Sequence, residues 1–110
     1  MKKVGVLNEM VKGWFVGDFT PSVFKTSEFE VGVKKYLKGD AEESHYHKEA
    51  DEYTVVIVGK VQMNNLIFTE GDIIEVKRNE VTNFICIEDT ITAVVKTKSV
   101  KNDKYIAEHG

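Results

Sequence analysis

From residue 29 onward the apolar positions recur in short runs with turn-forming residues between them. Phe29-Glu30-Val31-Gly32-Val33 alternates apolar with polar or small side chains and continues to Leu37, where Lys38-Gly39-Asp40 breaks it. Successive side chains of a strand point to opposite faces, so this alternation predicts a half-buried strand. A short strand is expected over 43–47, and the charged connection 48–51 leads into a β-branched run over 53–58 that stops at Gly59-Lys60. Val61-Gln62-Met63, Asn64-Asn65 and Leu66-Ile67-Phe68 predict a hairpin, because paired asparagines accept the positive φ of tight hairpin turns. Glu70-Gly71-Asp72 turns the chain into a strand over 73–76, and Arg78-Asn79-Glu80 turns it into one over 81–87. Glu88-Asp89 precedes a last strand over 91–98.

Many short strands at near-regular spacing predict an all-β antiparallel sandwich or barrel. No 12-residue segment after residue 28 sustains a helical period, and a short helix is expected only near 7–11. Composition agrees: valine and isoleucine together number 24 against 7 for leucine plus alanine, and β-branched side chains favour the pleated sheet. A chain of 110 residues supports one core rather than two. We read an N-terminal segment, 1–28, packing on the barrel or on a dimer partner, a barrel over 29–98, and a polar C-terminal tail, 99–110, that includes an exposed His109.

A net charge of -3, with lysines interleaved among acids, argues against a nucleic-acid partner. Arg78 is the single arginine, so no bidentate phosphate clamp is evident. The single Cys86 reads as a buried small hydrophobe rather than a nucleophile. No apolar run approaches a membrane span, and that at 4–7 is too short for a signal-peptide core. A cytoplasmic protein is expected.

One cluster looks chemical: His45-Tyr46-His47, followed by Glu52. Residues two apart on a strand share a face, so His45 and His47 project together and Tyr46 away from them. Glu52 opens the next antiparallel strand and can return beside them. Two imidazoles and a carboxylate suit a divalent metal such as iron(II), manganese, nickel or zinc.

Gly39, five residues, His45, His47, four residues, Glu52, six residues and Gly59 resemble the first motif of the cupin superfamily in full. The resemblance covers roughly 29–98 and implies a double-stranded β-helix, or jelly-roll barrel. The second cupin motif is degenerate: Gly71 and Asp72 open it, Lys77 stands for its proline and Asn79 for its glycine. Thr82 stands where the third histidine ligand belongs, and Cys86 for the final asparagine. Asn79 can still take the left-handed turn conformation. Asn83 is next to Thr82, but alternation sends it to the other face.

The resemblance implies a small polar ligand in the barrel and a divalent metal on His45, His47 and Glu52. If the protein is an enzyme, dioxygenase, isomerase or decarboxylase chemistry is implied. The alternatives are a metal-free module for a sugar or small acid, and a sugar-nucleotide isomerase or epimerase using the histidine pair. Thr54, Gln62, Thr82 and Phe84 are the expected pocket residues, Phe84 as lining core rather than a stacking platform. Trp14, Phe15 and Val16 exceed what one small barrel must bury, so a homodimer is expected.

Overall fold

The computed structural model describes residues 1–107. Each strand anticipated from alternation forms. In chain order they are β1 (Trp14–Val16), β2 (Glu30–Tyr36), β3 (Ala41–Tyr46), β4 (Glu52–Val58), β5 (Lys60–Met63), β6 (Leu66–Thr69), β7 (Ile73–Val76), β8 (Thr82–Cys86), β9 (Thr90–Lys96) and β10 (Tyr105–Ile106). One five-stranded sheet runs β1-β2-β9-β4-β7 and the other β10-β3-β8-β5-β6, with antiparallel pairing throughout. The barrel architecture expected from the sequence is therefore present.

Alternation positions the core. Along β8 the odd and even positions separate cleanly, with Thr82, Phe84 and Cys86 buried and Asn83 and Ile85 exposed. Val56, Ile74 and Val76 from one sheet meet Val61, Met63, Phe84 and Cys86 from the other. Cys86 is 1% exposed among apolar neighbours, and burial pushes its thiol pKa up, in keeping with a small hydrophobe.

The turns behave as their residues dictate. Asn64 and Asn65 have φ of 48° and 69°, the paired positive values of a two-residue hairpin, and join β5 to β6 with Met63 opposite Leu66. Asn79 takes φ 68°, as its place in the degenerate motif requires. Gly59, at φ 105°, carries the chain from one sheet to the other. A Cβ there would lie 2.4 Å from both the Asp89 carbonyl oxygen and Thr90 Oγ1, so glycine is required twice over.

Both ends of the chain differ from the expectation. In place of a helix near 7–11 there are two single 3-10 turns, Leu7–Glu9 and Val11–Gly13. Neither has a capping side chain, and Lys12 and Gly13 leave helical space at φ 51° and 83°. The segment read as a tail is folded as far as it is described: Tyr105 and Ile106 pair with Tyr46 and His45. Asp103 is buried, and its carboxylate accepts hydrogen bonds from the backbone N–H groups of Lys48, Glu49 and Ala50. A polar composition concealed this, because the pairing is made by backbone. His109 lies outside the described residues.

Candidate functional site

His45, on β3, and His47, one residue past its end, both reach one cavity, of about 170 Å³, between the sheets. Their rings lie 5.5 Å apart at 79°, and both residues are buried. Tyr46 points outward and stacks on Tyr105. A β-bulge shapes this stretch: Glu42 faces Phe84 and His45 faces Thr82, so three steps on β3 match two on β8. Glu42 therefore lines the same cavity as His45, which simple alternation would forbid.

Each imidazole is held from behind. His45 Nδ1 lies 2.7 Å from the Glu43 carbonyl oxygen, inside the bulge, and His47 Nδ1 lies 2.8 Å from the Asp103 carbonyl oxygen. A carbonyl only accepts, so Nδ1 is the protonated nitrogen in both rings and Nε2 keeps its lone pair when the ring is neutral. Burial, followed by the charge of Lys96, holds His47 below the ordinary histidine pKa. It is a neutral hydrogen-bond acceptor at neutral pH.

Of the residues anticipated from the sequence, His45, His47, Glu52, Thr54, Thr82 and Phe84 all line the cavity. Gln62 does not. It sits between buried Val61 and Met63 and pairs with exposed Ile85, so period-two alternation sends it to the outer face. Asn83 is also outside, exchanging hydrogen bonds with Asn64. Arg78 is occupied elsewhere: its backbone N–H and guanidinium both bond Asp51.

The lining contains residues that sequence reasoning missed. Trp14, on β1, lies against Gly32, where a Cβ would come within 2.7 Å of the indole. Lys34 Nζ and Lys96 Nζ stand 4.8 Å and 5.0 Å from the centroid of that ring, within cation–π range. Lys96 is also paired with Glu30 at 3.4 Å. Burial pulls the Lys34 ammonium below its ordinary pKa, with Lys96 and Lys12 adding to the effect and Glu42 and Glu52 opposing it. Tyr36 packs on Phe84 at 4.9 Å, and burial raises its phenol pKa. Four lysines (12, 34, 96 and 104) and two glutamates (42 and 52) line the cavity, a cationic excess in a chain of net charge -3. The lysines escaped notice because alternation placed β2 and β9 in the sheet without saying which charged ends enclose a cavity.

The donor set falls short of a metal centre. Among the described residues no three His, Cys, Asp or Glu side chains converge closely enough to hold an ion. Two Nε2 atoms are available, Glu52 does not close on them, and opposite His45 stands the hydroxyl of Thr82.

No family model matches the chain, and no curated protein matches it in sequence. Solved structures do match in shape. An uncharacterised conserved protein with a double-stranded β-helix domain, from Klebsiella pneumoniae, is 23% identical with a TM-score of 0.66, over 76% of this chain and 74% of that one. An RmlC-like cupin from Shewanella frigidimarina is 18% identical with a TM-score of 0.62, over 71% and 72%. The chain has the cupin fold. A third match, the DMSP lyase DddQ from Ruegeria pomeroyi, is 12% identical with a TM-score of 0.70, over 86% of this chain and 49% of that one. The likeness is thus one of fold, carried by the shape of the barrel. Among the described residues, no helix is long and apolar enough to cross a membrane.

Proposed function

We propose that this cupin binds a small organic acid in its barrel. The observation that carries the reading is the pair Lys34 and Lys96 over the indole of Trp14, at the wall of a cavity that also holds two buried imidazoles. A carboxylate entering there meets an ammonium, Lys34, with no ion-pair partner among the described residues, in a half-buried setting where charge pairs are screened less than at the surface. The Nε2 atoms of His45 and His47 and the hydroxyls of Thr54 and Thr82 suit the remaining polar atoms of a hydroxy or oxo acid. A volume of about 170 Å³ lies below the roughly 300 Å³ at which pockets for drug-sized ligands begin, so the fit is to short acids. A nucleotide sugar is disfavoured, since Arg78 is committed to Asp51.

Trp14 is the single tryptophan, so its emission reads occupancy directly. Titration with lactate, pyruvate and malonate should change Trp14 emission, with the corresponding amides as neutral controls. At least one acid should bind, and Lys34→Gln should weaken it about tenfold, roughly 1.4 kcal/mol. Equal binding of acid and amide, or an unchanged Lys34→Gln variant, rejects the reading.

A second reading is a divalent metal held by His45, His47 and Glu52, supported by the Nδ1 anchors, which leave both Nε2 atoms free as metal-binding histidines require. It requires Glu52 to close on the pair. A bound ion would supply Lewis acidity. Elemental analysis of protein purified without a metal-affinity step separates the two readings: near-stoichiometric metal supports the second.

A further inference from the structure

Lys34 is set apart from the other lysines by where its strand puts it. It shares the inward face of β2 with Gly32 and Tyr36, by period-two alternation, and stands opposite the buried Thr92 of β9. Its Nζ is 4.8 Å from the ring centroid of Trp14, an indole that itself rests on Gly32. Of the four lysines that line the cavity, Lys96 is paired with Glu30 at 3.4 Å and Lys104 with Glu42 at 3.6 Å. Lys12 is exposed on a turn. Lys34 alone of the four is half-buried and without an ion-pair partner among the described residues.

That placement suits an amine as well as a cation. Burial pulls the Lys34 ammonium below the ordinary lysine pKa, with Lys96 and Lys12 adding to this and Glu42 and Glu52 opposing it. The neutral fraction so enlarged is a nucleophile, and desolvation beside other cations is how lysines are activated for carbonyl chemistry. Lys34 also lines the adjoining groove of about 690 Å³, so it stands where groove and cavity meet and solvent reaches it.

We infer that Lys34 captures a short 2-oxo acid, such as pyruvate, as a Schiff base, which rests on the acid-binding reading above. The Nζ lone pair attacks the ketone carbon and the C–O π pair moves to oxygen. One proton passes through solvent from nitrogen to that oxygen, giving a carbinolamine. A second proton from solvent turns the hydroxyl into water, which leaves with the C–O bonding pair as the nitrogen lone pair closes the C=N bond. Amine, ketone and one proton thus give an iminium and water, and nothing is oxidised or reduced. The iminium carries the positive charge that the ammonium carried, so the contact with Trp14 and the attraction for the carboxylate are kept.

Reductive trapping on the intact wild-type chain tests this. Protein incubated with pyruvate and cyanoborohydride at neutral pH, then digested and mapped by mass spectrometry, should carry a carboxyethyl group on Lys34. The yield there should exceed that at any other lysine, and at the exposed Met1 amino group, by about tenfold or more, because a bound ketone meets the amine at an effective concentration that exposed amines lack. Unfolding in urea should abolish the preference. Excess lactate, which has the carboxylate but no ketone, should suppress it. A Trp14 emission response to lactate without a preferred adduct on Lys34 overturns the capture and leaves the acid-binding reading standing. No emission response and no preferred adduct overturn both. A preference that survives unfolding, or that lactate leaves untouched, also overturns the capture.

Discussion

At the scale of single residues, the site is decided by what stands behind each imidazole and what stands opposite. His45 and His47 are fixed through Nδ1 by two carbonyls, one local and one 56 residues away. Opposite His45, in register, is Thr82, buried and facing the cavity. Thr82→His therefore places a third imidazole beside two that are already oriented, and zinc affinity should rise at least tenfold, about 1.4 kcal/mol. Asn83→His is the control: Asn83 faces outward, and its substitution should leave zinc affinity unchanged. Titration with a competing chelator reads both, and a gain in the control equal to that in Thr82→His would refute the register argument. The same register argument identifies Thr82 from the sequence, since β8 alternates without interruption. It misidentifies Gln62, because the turn at Gly59 moves the chain to the other sheet and sets a new phase that alternation within one strand does not reveal.

At the scale of elements, two glycines of the same motif are needed for different reasons. Gly39 sits in a turn at φ 91° with open space where a Cβ would be; Gly59 has φ 105° and meets backbone and Thr90 at 2.4 Å. Gly39→Ala should cost about 1 kcal/mol, the penalty of a left-handed residue alone. Gly59→Ala should cost about 3 kcal/mol or more, since either the β4–β5 corner or the β8–β9 turn must shift. Urea denaturation of the two variants measures the difference, and equal losses would show that the contact at Gly59 relaxes freely. Hairpin and turn chemistry was legible here because Asn and Gly act on their own backbone. The β3 bulge was not, and it is what puts Glu42 in the cavity.

At the scale of the whole molecule, the C-terminal segment holds the site together. Asp103 accepts three backbone N–H groups from the loop that follows His47, and its own carbonyl takes the His47 proton donor. Hydrogen bonds to a buried charged acceptor are worth more than neutral ones, so Asp103→Ala should lose about 3 kcal/mol of stability. It should also loosen the loop over 48–50 and with it the His47 ring, so that acid binding weakens although Asp103 does not line the cavity. Urea midpoints and Trp14 titrations on the same variant check both effects. Asp103→Asn, which keeps one acceptor oxygen, should recover part of each.

The sequence by itself determined the eight strands from β2 to β9, the turns between them and the identity of the histidine face. These follow from period-two alternation and from the φ preferences of Asn and Gly, which act over a few residues. It also carried the cupin resemblance, in motif glycines and histidines that lie close together in the chain, along β3, β4 and the connection between them. Tertiary structure alone decided the rest. Trp14, Lys34 and Lys96 come from strands far apart in the chain, and only the pairing of β1, β2 and β9 sets them side by side at the cavity wall. Asp103 reaches the histidine loop only because β10 pairs with β3. Local pattern records which face a side chain takes; which distant strand lies next to it depends on the packing of the whole barrel.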